Sequence, residues 1–248
     1  MVELHLILLG FLVGFLVGLT GIGGGALTTP SFIFFGMEPM KAVGTSLLYV
    51  TATKSFGTAF HHRIGKIRYD IALRLLIGSI PAIILGGFLL RVIGKDVLDT
   101  YLTLLLGLIL IFSGVLGLIK EEVSLQIKPR MLYLYLLGFI IGVAVQFTSV
   151  GAGVIVSLAL MNLARISSNE VVGISIFYGL LLSLLSFLNY SLIGSVDYAI
   201  ATILVPGSII GVYAGTRIST RTKSERLKAI INVFITILGI LTLASLFL

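Results

Sequence analysis

Long apolar runs separated by short polar stretches set the pattern of this chain. Six runs, at 41–61, 70–91, 98–119, 170–190, 198–217 and 227–247, have the length of helical membrane spans, which take roughly 20 residues each. Segment 3–36 differs, being too long for one span and interrupted by Gly21, Gly23, Gly24 and Gly25. Segment 131–163 repeats that pattern. Glycine-rich backbone at membrane depth is tolerated only where it faces protein or a polar cavity. The pattern therefore predicts an all-α membrane protein with two interrupted segments whose breaks lie inside it.

The two interrupted segments open two copies of one sequence. Gly10, Gly14, Thr20, Gly23 and Gly25 match Gly138, Gly142, Thr148, Gly151 and Gly153. VGTSLLY at Val43 to Tyr49 then meets VGISIFY at Val172 to Tyr178. Gly65, Tyr69, Gly78, Ser79 and Gly86 meet Gly194, Tyr198, Gly207, Ser208 and Gly215. Such ordered matches with one single-residue gap define an internal repeat. The expected units are 1–125 and 131–248, with Gln126 to Arg130 between them.

Each interrupted segment is either one broken span or a helix–loop–helix hairpin with the glycines at its tip. The basic residues decide. If both segments are hairpins, thirteen lysines and arginines fall on one side and three, Lys41, Arg91 and Lys95, on the other. If both are broken spans, the same charges divide seven against nine. Only the hairpin arrangement obeys the rule that basic loops stay inside. The expected fold is thus two inverted repeats, each a hairpin plus three spans, with both termini outside.

Composition agrees and narrows the class. Of 248 residues, 58% are hydrophobic and 11% charged, and the mean hydropathy is +1.17. A soluble domain carries about 25% charged residues, so the lipid bilayer is the expected solvent. The net charge of +7 reads as loop charge that sets orientation, and no nucleic-acid partner is expected. There is no cysteine, which excludes disulfides and thiolate metal sites. With no tryptophan, any aromatic belt rests on tyrosine and phenylalanine. The first apolar stretch lacks a basic leader and is expected to stay in the protein.

Inverted repeats meet near the membrane midplane, where interrupted helices leave backbone groups free. The candidates are the two tips, Thr20 to Gly25 and Thr148 to Gly153. A helix starting at a tip points unpaired N–H groups and the positive end of its dipole into the site. Two such ends form an anion site without formal charge. Gly23, Gly24, Gly25, Gly151 and Gly153 would bring an anion to bare backbone, and Thr20, Thr28, Thr29, Thr148, Ser149 and Ser157 add hydroxyls. The bland alternative is that these glycines only let helices pack closely. Lys54 is the one basic residue well inside a span, about seven residues or roughly 10 Å from its inner end. It either attracts the anion or snorkels to the interface. Its repeat mate is Ser183. Gln146 stands where the first half has Gly18, and either binds substrate or bridges helices. Ser46 and Ser175, and Tyr49 and Tyr178, are repeat mates expected beside the site.

Every acidic residue falls in a loop or at a span end, so a buried carboxylate proton relay is not expected. His61 and His62 sit at the inner mouth and read as interfacial residues of a basic loop. No nucleophile–base pair or metal cluster is legible, so neither an enzyme nor a cofactor is expected.

The residues LTGIGGGALTTPSF, AVGTSLL, HHRIGKIRYD and LLIGSIPAIILGG together resemble the TauE/SafE family of sulfite exporters and toluene-sulfonate uptake permeases. The resemblance covers almost the whole chain. It implies a multi-pass transporter in a prokaryotic cell membrane. Its substrate would be a small sulfur-containing anion such as sulfite, sulfoacetate, thiosulfate or another organosulfonate. An anion channel, a carrier of a different small anion and an assembly subunit stand as alternatives. Glycines in the spans would serve a homodimer face or internal packing equally well.

Overall fold

A computed structural model describes residues 2–20, 24–63, 67–118, 131–151, 153, 155–157, 159–160, 168–219 and 225–246. The protein is helical throughout these residues, with no strand among them. The helices are α1 (Val2–Thr20), α2 (Gly25–Phe34), α3 (Pro39–Arg63), α4 (Tyr69–Val92), α5 (Lys95–Leu118), α6 (Met131–Thr148), α7 (Ser168–Leu192), α8 (Tyr198–Ser219) and α9 (Glu225–Ala244). Residues 155–157 and 159–160 are also helical. The linker Gln126 to Arg130 lies outside the described residues.

Five of these helices are long and apolar enough to cross a membrane: Tyr69–Val92, Lys95–Leu118, Met131–Thr148, Glu170–Leu192 and Tyr198–Gly215. The expected run at 41–61 forms a helix of 25 residues but is not among these five. Thr45, Ser46, Thr51, Thr53, Lys54 and Ser55 dilute its apolar character. The reason is positional: Val43, Thr45, Ser46, Leu47 and Tyr49 of α3 are all buried, so protein rather than lipid covers the first half of this helix. The first arms of the interrupted segments are longer than half-spans. α1 has 19 residues and α6 has 18, which at 1.5 Å per residue is about 27–29 Å.

Contacts between small residues fix the direction of each helix. Gly10 and Gly14 of α1 lie against Leu204 and Ser208 of α8, and Gly207 and Gly211 lie against Ile7 and Phe11. The two numberings rise together, so α1 and α8 run parallel. The same relation joins α4 and α6, where Gly138 meets Leu75, Gly142 meets Ser79 and Gly86 meets Gln146. α3 and α7 run antiparallel, with Gly44 beside Tyr190 and the Thr51 and Ser183 hydroxyl oxygens 3.0 Å apart. α5 and α9 are antiparallel too, Gly107 meeting Leu243 and Gly114 meeting Thr236.

The path of the first interrupted segment follows from these directions. Asp197 N–H donates to Thr45 Oγ1 at 2.9 Å and Tyr49 donates to Ser208 Oγ at 2.6 Å. Hence α3 runs parallel to α8, and therefore to α1. Between them α2 returns the other way: Gly24 faces Tyr49 and Val50, while Thr28 bonds Ser46. Segments 36–41, 93–99 and 193–197 gather on one face of the molecule, and 67–70 and 168–170 on the opposite face.

Ion pairs tie each face. On the first, Lys41 Nζ lies 3.0 Å from Asp197 and Lys95 Nζ 2.6 Å from Glu38. Asp197 also accepts the Ile200 N–H at 3.1 Å, capping the exposed first turn of α8. That backbone bond, then Lys41, holds its carboxyl below the usual carboxylate range against the opposing pull of burial. On the second face Arg68 forks onto Asp70 with two bonds of 3.0 Å, and its Nη1 lies 3.9 Å from Glu170.

The close approach of α1 to α8 yields a stability prediction. A side chain at Gly10 would meet the Leu204 backbone, and such overpacking costs about 1–3 kcal/mol. Gly10→Leu should lower the melting temperature of the purified protein by several degrees. Gly94→Leu, whose neighbourhood is open, should not. Equal melting of the two variants would refute the packing.

Candidate functional site

The two interrupted segments meet each other. At the first, α1 ends at Thr20, whose side chain lies outside the described residues, as does Gly23. The chain resumes at Gly24, a helical N-cap with φ −53° and ψ −31° and no side-chain capping bond. The first N–H groups of α2 accordingly have no intrahelical acceptor. At the second, α6 ends at Thr148, whose hydroxyl donates to Ala144 O at 2.6 Å and accepts the Val150 N–H at 3.1 Å. Ser149 has φ 60° and Gly151 φ +119°. Left-handed backbone at a non-glycine residue is strained and persists only where its surroundings impose it. Helical bonding restarts with Ile155 N–H to Gly151 O at 3.1 Å and Ser157 N–H to Gly153 O at 3.0 Å. Gly25 is pressed against Ser149 so closely that a Cβ would collide with the Ser149 carbonyl oxygen. The start of α2 and the turn after α6 therefore form one junction.

A chain of hydroxyls lies at that junction. Thr28 bonds Ser46 and also donates to Gly24 O at 3.1 Å. Ser149 Oγ lies 3.2 Å from Ser46 Oγ and 2.5 Å from Thr29 Oγ1. Thr28, Thr29, Ser46 and Ser149 are all buried. Ser46 lies seven residues into α3, about 10 Å from the helix start. A hydroxyl can rotate to donate to whichever acceptor is presented, so four of them beside a bare helix start form a cluster suited to an anion's oxygens.

Lys54 belongs to a separate group. Its amine donates to Ser175 O at 3.4 Å, a long bond, and fills the notch left by Gly179, where a Cβ would overlap Nζ. α3 continues to Arg63, nine residues beyond Lys54, so the lysine is about 14 Å from that helix end, deeper than the sequence suggests. Ser175 is seven residues into α7, as Ser46 is into α3, but α7 starts from the opposite face. Ser46 and Ser175 thus occupy matching depths from opposite sides and are not brought together.

Gln146 is fully buried and points to the packing seam of α4 and α7. Its side chain lies against Gly86, and its Oε1 is 3.4 Å from Asn189 Nδ2. Its Nε2 has no partner among the described residues. Tyr190 donates to the Gln146 carbonyl at 2.9 Å. The helix-bridging role is the one these contacts describe.

Two pairs carry more than sequence reasoning assigned to them. Tyr49 donates to Ser208 at 2.6 Å, and Tyr178 bonds Ser79 at 2.7 Å. Tyr49 and Tyr178 are repeat mates, and so are Ser79 and Ser208. Each half's tyrosine therefore reaches the other half's serine. The signal was present in the repeat alignment, in polar residues matched at both positions. His61 and His62 have side chains outside the described residues.

A helical, multi-pass membrane protein with two glycine-marked breaks joined in its interior is the class this geometry defines. The sequence model of the sulfite exporter TauE/SafE family matches residues 6–242, and the chain belongs to that family of membrane transporters. It is 32% identical over 250 residues to the probable membrane transporter protein YjnA of Bacillus subtilis (strain 168), covering 96% of this chain and 98% of that protein. YdhB of the same organism is 29% identical over 248 residues, at 96% and 99% coverage. A probable membrane transporter protein of Xylella fastidiosa (strain 9a5c) is 29% identical over 226 residues, at 88% and 85%. No solved structure matches at a significant level.

Ser46 is the shared partner of Thr28 and Ser149. Ser46→Ala leaves buried hydroxyls short of a partner, at a cost of about 1–3 kcal/mol. A lower melting temperature is expected, with Ser46→Thr nearer to wild type. A Ser46→Ala protein melting at the wild-type temperature would show that the cluster is not coupled.

Proposed function

We propose that the protein is a secondary transporter that binds a small sulfur-containing anion at the junction of its two interrupted segments. The observation that carries this reading is the seating of Gly25 on Ser149 within the hydroxyl chain of Thr28, Thr29, Ser46 and Ser149. Sulfite and sulfonates present several acceptor oxygens on one centre. Hydroxyls, the first N–H groups of α2 and bare glycine backbone at Gly24, Gly25, Gly151 and Gly153 offer matching donors. Thr20, Gly23 and Thr148 would complete the two tips. Lys54, at Ser175 O, would draw the anion along the interior toward the second face. Gln146 would hold α4 and α7 beside the site.

The reading extends to the frame. The two sequence copies, 1–125 and 131–248, would be inverted repeats, supported by the antiparallel runs of α3 with α7 and of α5 with α9. The opposite travel of α1 and α6 supports it too. The rule that basic loops stay inside would then place the second face in the cytoplasm of a prokaryotic cell and both termini outside. Channel behaviour with the same site is the nearest alternative, and currents above carrier turnover would establish it.

A ligand that binds the folded state raises its melting temperature by mass action. Sulfite, sulfate, thiosulfate, sulfoacetate, phosphate and chloride should be tested against the purified protein. A selective shift with one sulfur anion is expected, lost in Gly24→Leu and reduced in Lys54→Met. Stabilisation by a cation or a neutral solute, with none by any sulfur anion, would overturn the substrate class.

A further inference from the structure

Two ion pairs join the first half of the chain to the second, one on each face. On the first face Lys41, at the start of α3, pairs with Asp197, in the turn before α8, at 3.0 Å. On the second face Glu170, at the start of α7, lies 3.9 Å from Arg68, in the turn before α4. The register that sets Val43 on Val172 and Gly65 on Gly194 also sets Lys41 on Glu170 and Arg68 on Asp197. These are one pair of repeat positions seen twice, on opposite faces, with the sign of each charge exchanged.

The two pairs differ in how tightly they hold. Lys41 sits within direct contact of Asp197, and the Asp197 backbone is also fixed to α3 through Thr45 at 2.9 Å. Arg68 instead forks onto Asp70 of its own half at 3.0 Å, leaving Glu170 at the longer distance. Between the pairs, α3 and α7 touch at Thr51 and Ser183, 3.0 Å apart. Lys41 is ten residues from Thr51, about 15 Å along α3, and Glu170 is thirteen from Ser183, about 20 Å along α7. A small rotation of one central helix against the other about that contact shortens one pair as it lengthens the other.

We propose that Lys41–Asp197 and Arg68–Glu170 are the two gates of the transport path, tightened in alternation, with the first-face pair the closer of the two in this structure, at 3.0 Å against 3.9 Å. The proposal rests on the transport reading but not on which anion is carried. Both pairs are partly exposed, with side-chain exposures of 41% and 23% for Lys41 and Asp197 and 47% and 36% for Arg68 and Glu170. Ion pairs so placed are weak and screened by salt, which suits contacts that must form and break in every cycle. Exchange of charge between the faces leaves each gate with one basic and one acidic group contributed by different halves. Neither gate can then close without bringing the halves together at that face.

The absence of native cysteine makes the test direct. Single cysteines Ser46→Cys and Ser175→Cys report the two depths in proteoliposomes, read by an impermeant thiol reagent applied from each side. Adding Lys41→Gln, which leaves the Asp197 cap intact, should raise labelling of Ser46→Cys from the first face about two- to fivefold, the range for loss of an exposed ion pair. Glu170→Gln should do the reverse, raising labelling of Ser175→Cys from the second face and lowering that of Ser46→Cys. Asp197→Asn, which can still cap α8, should reproduce Lys41→Gln. Shifts in the same direction for both gates, or no shift in any variant, would overturn the proposal. Labelling needs no substrate. Opposed shifts without anion binding would therefore uphold the gates and sink the anion reading, and intact sulfite binding without shifts would do the opposite.

Discussion

Hydrocarbon cannot hydrogen-bond, so a backbone that breaks at membrane depth must be covered by protein. This chain breaks twice, after Thr20 and after Thr148, and covers each break with the other. Gly25 has no side chain because the Ser149 carbonyl fills the space where one would stand. Ser149 in turn accepts left-handed backbone, φ 60°, and is fixed by hydroxyl contacts to Thr29 and Ser46. Each break is thus seated partly on the other half. The junction therefore requires the halves to interlock rather than sit side by side.

Interlocking explains the distribution of polar residues among the helices. α1 packs on α8 and α6 on α4, each first helix against a helix of the other half. α3 and α7 pack against each other, with Leu47, Tyr49, Tyr178 and Leu182 buried. Large apolar side chains turn outward on most helices, Ile84, Phe88, Phe112 and Ile240 among them, and also Phe56 of α3 and Leu188 of α7. α3 carries a run of hydroxyls, of which Thr51, Thr53 and Ser55 return to the helix's own backbone. Thr51 donates to Leu47 O at 2.7 Å, Thr53 to Tyr49 O at 3.1 Å and Ser55 to Thr51 O at 2.8 Å. The tyrosine–serine pairs then tie this polar centre to the close-packed flanks, Tyr49 to Ser208 on one side and Tyr178 to Ser79 on the other.

Periodicity made the all-helical membrane class legible, because nothing else satisfies the backbone of such apolar runs. The glycine clusters located both breaks, and the count of basic residues implied a returning segment, matching the reversal of α2 between the parallel α1 and α3. Other features needed three dimensions. Lys54 could be seen as intramembrane, but its seat against Gly179 depends on the crossing of α3 and α7, which no local pattern encodes. Ser46 and Ser175 are repeat mates expected beside the site, yet an antiparallel pairing carries such mates apart to matching depths. Gln146 looked equally suited to substrate or to bridging. Its direction is set by Gly86, a small residue on another helix that makes room for it.

The two sequence copies agree at some positions and differ at others, and the structure puts the two sets to different uses. Positions where the halves agree, such as Gly10 with Gly138 and Ser79 with Ser208, are packing contacts and helix ties. Positions where they disagree include Lys54 against Ser183, Ser149 against Gly21, Lys41 against Glu170 and Arg68 against Asp197. A perfectly symmetric pair of halves would present the same field to a solute from either face. Here Lys54 lies on the second-face side of the interior, and the ion pairs of the two faces join matched positions with the charges exchanged. Acidic residues among the described helices stay at their ends, as Asp70, Asp96, Asp99 and Glu170 do. On the proposed reading, one ammonium, the start of α2 and a set of orientable hydroxyls would make the field along the interior positive. Under the proposed transport reading, such a field would favour an anion over a cation.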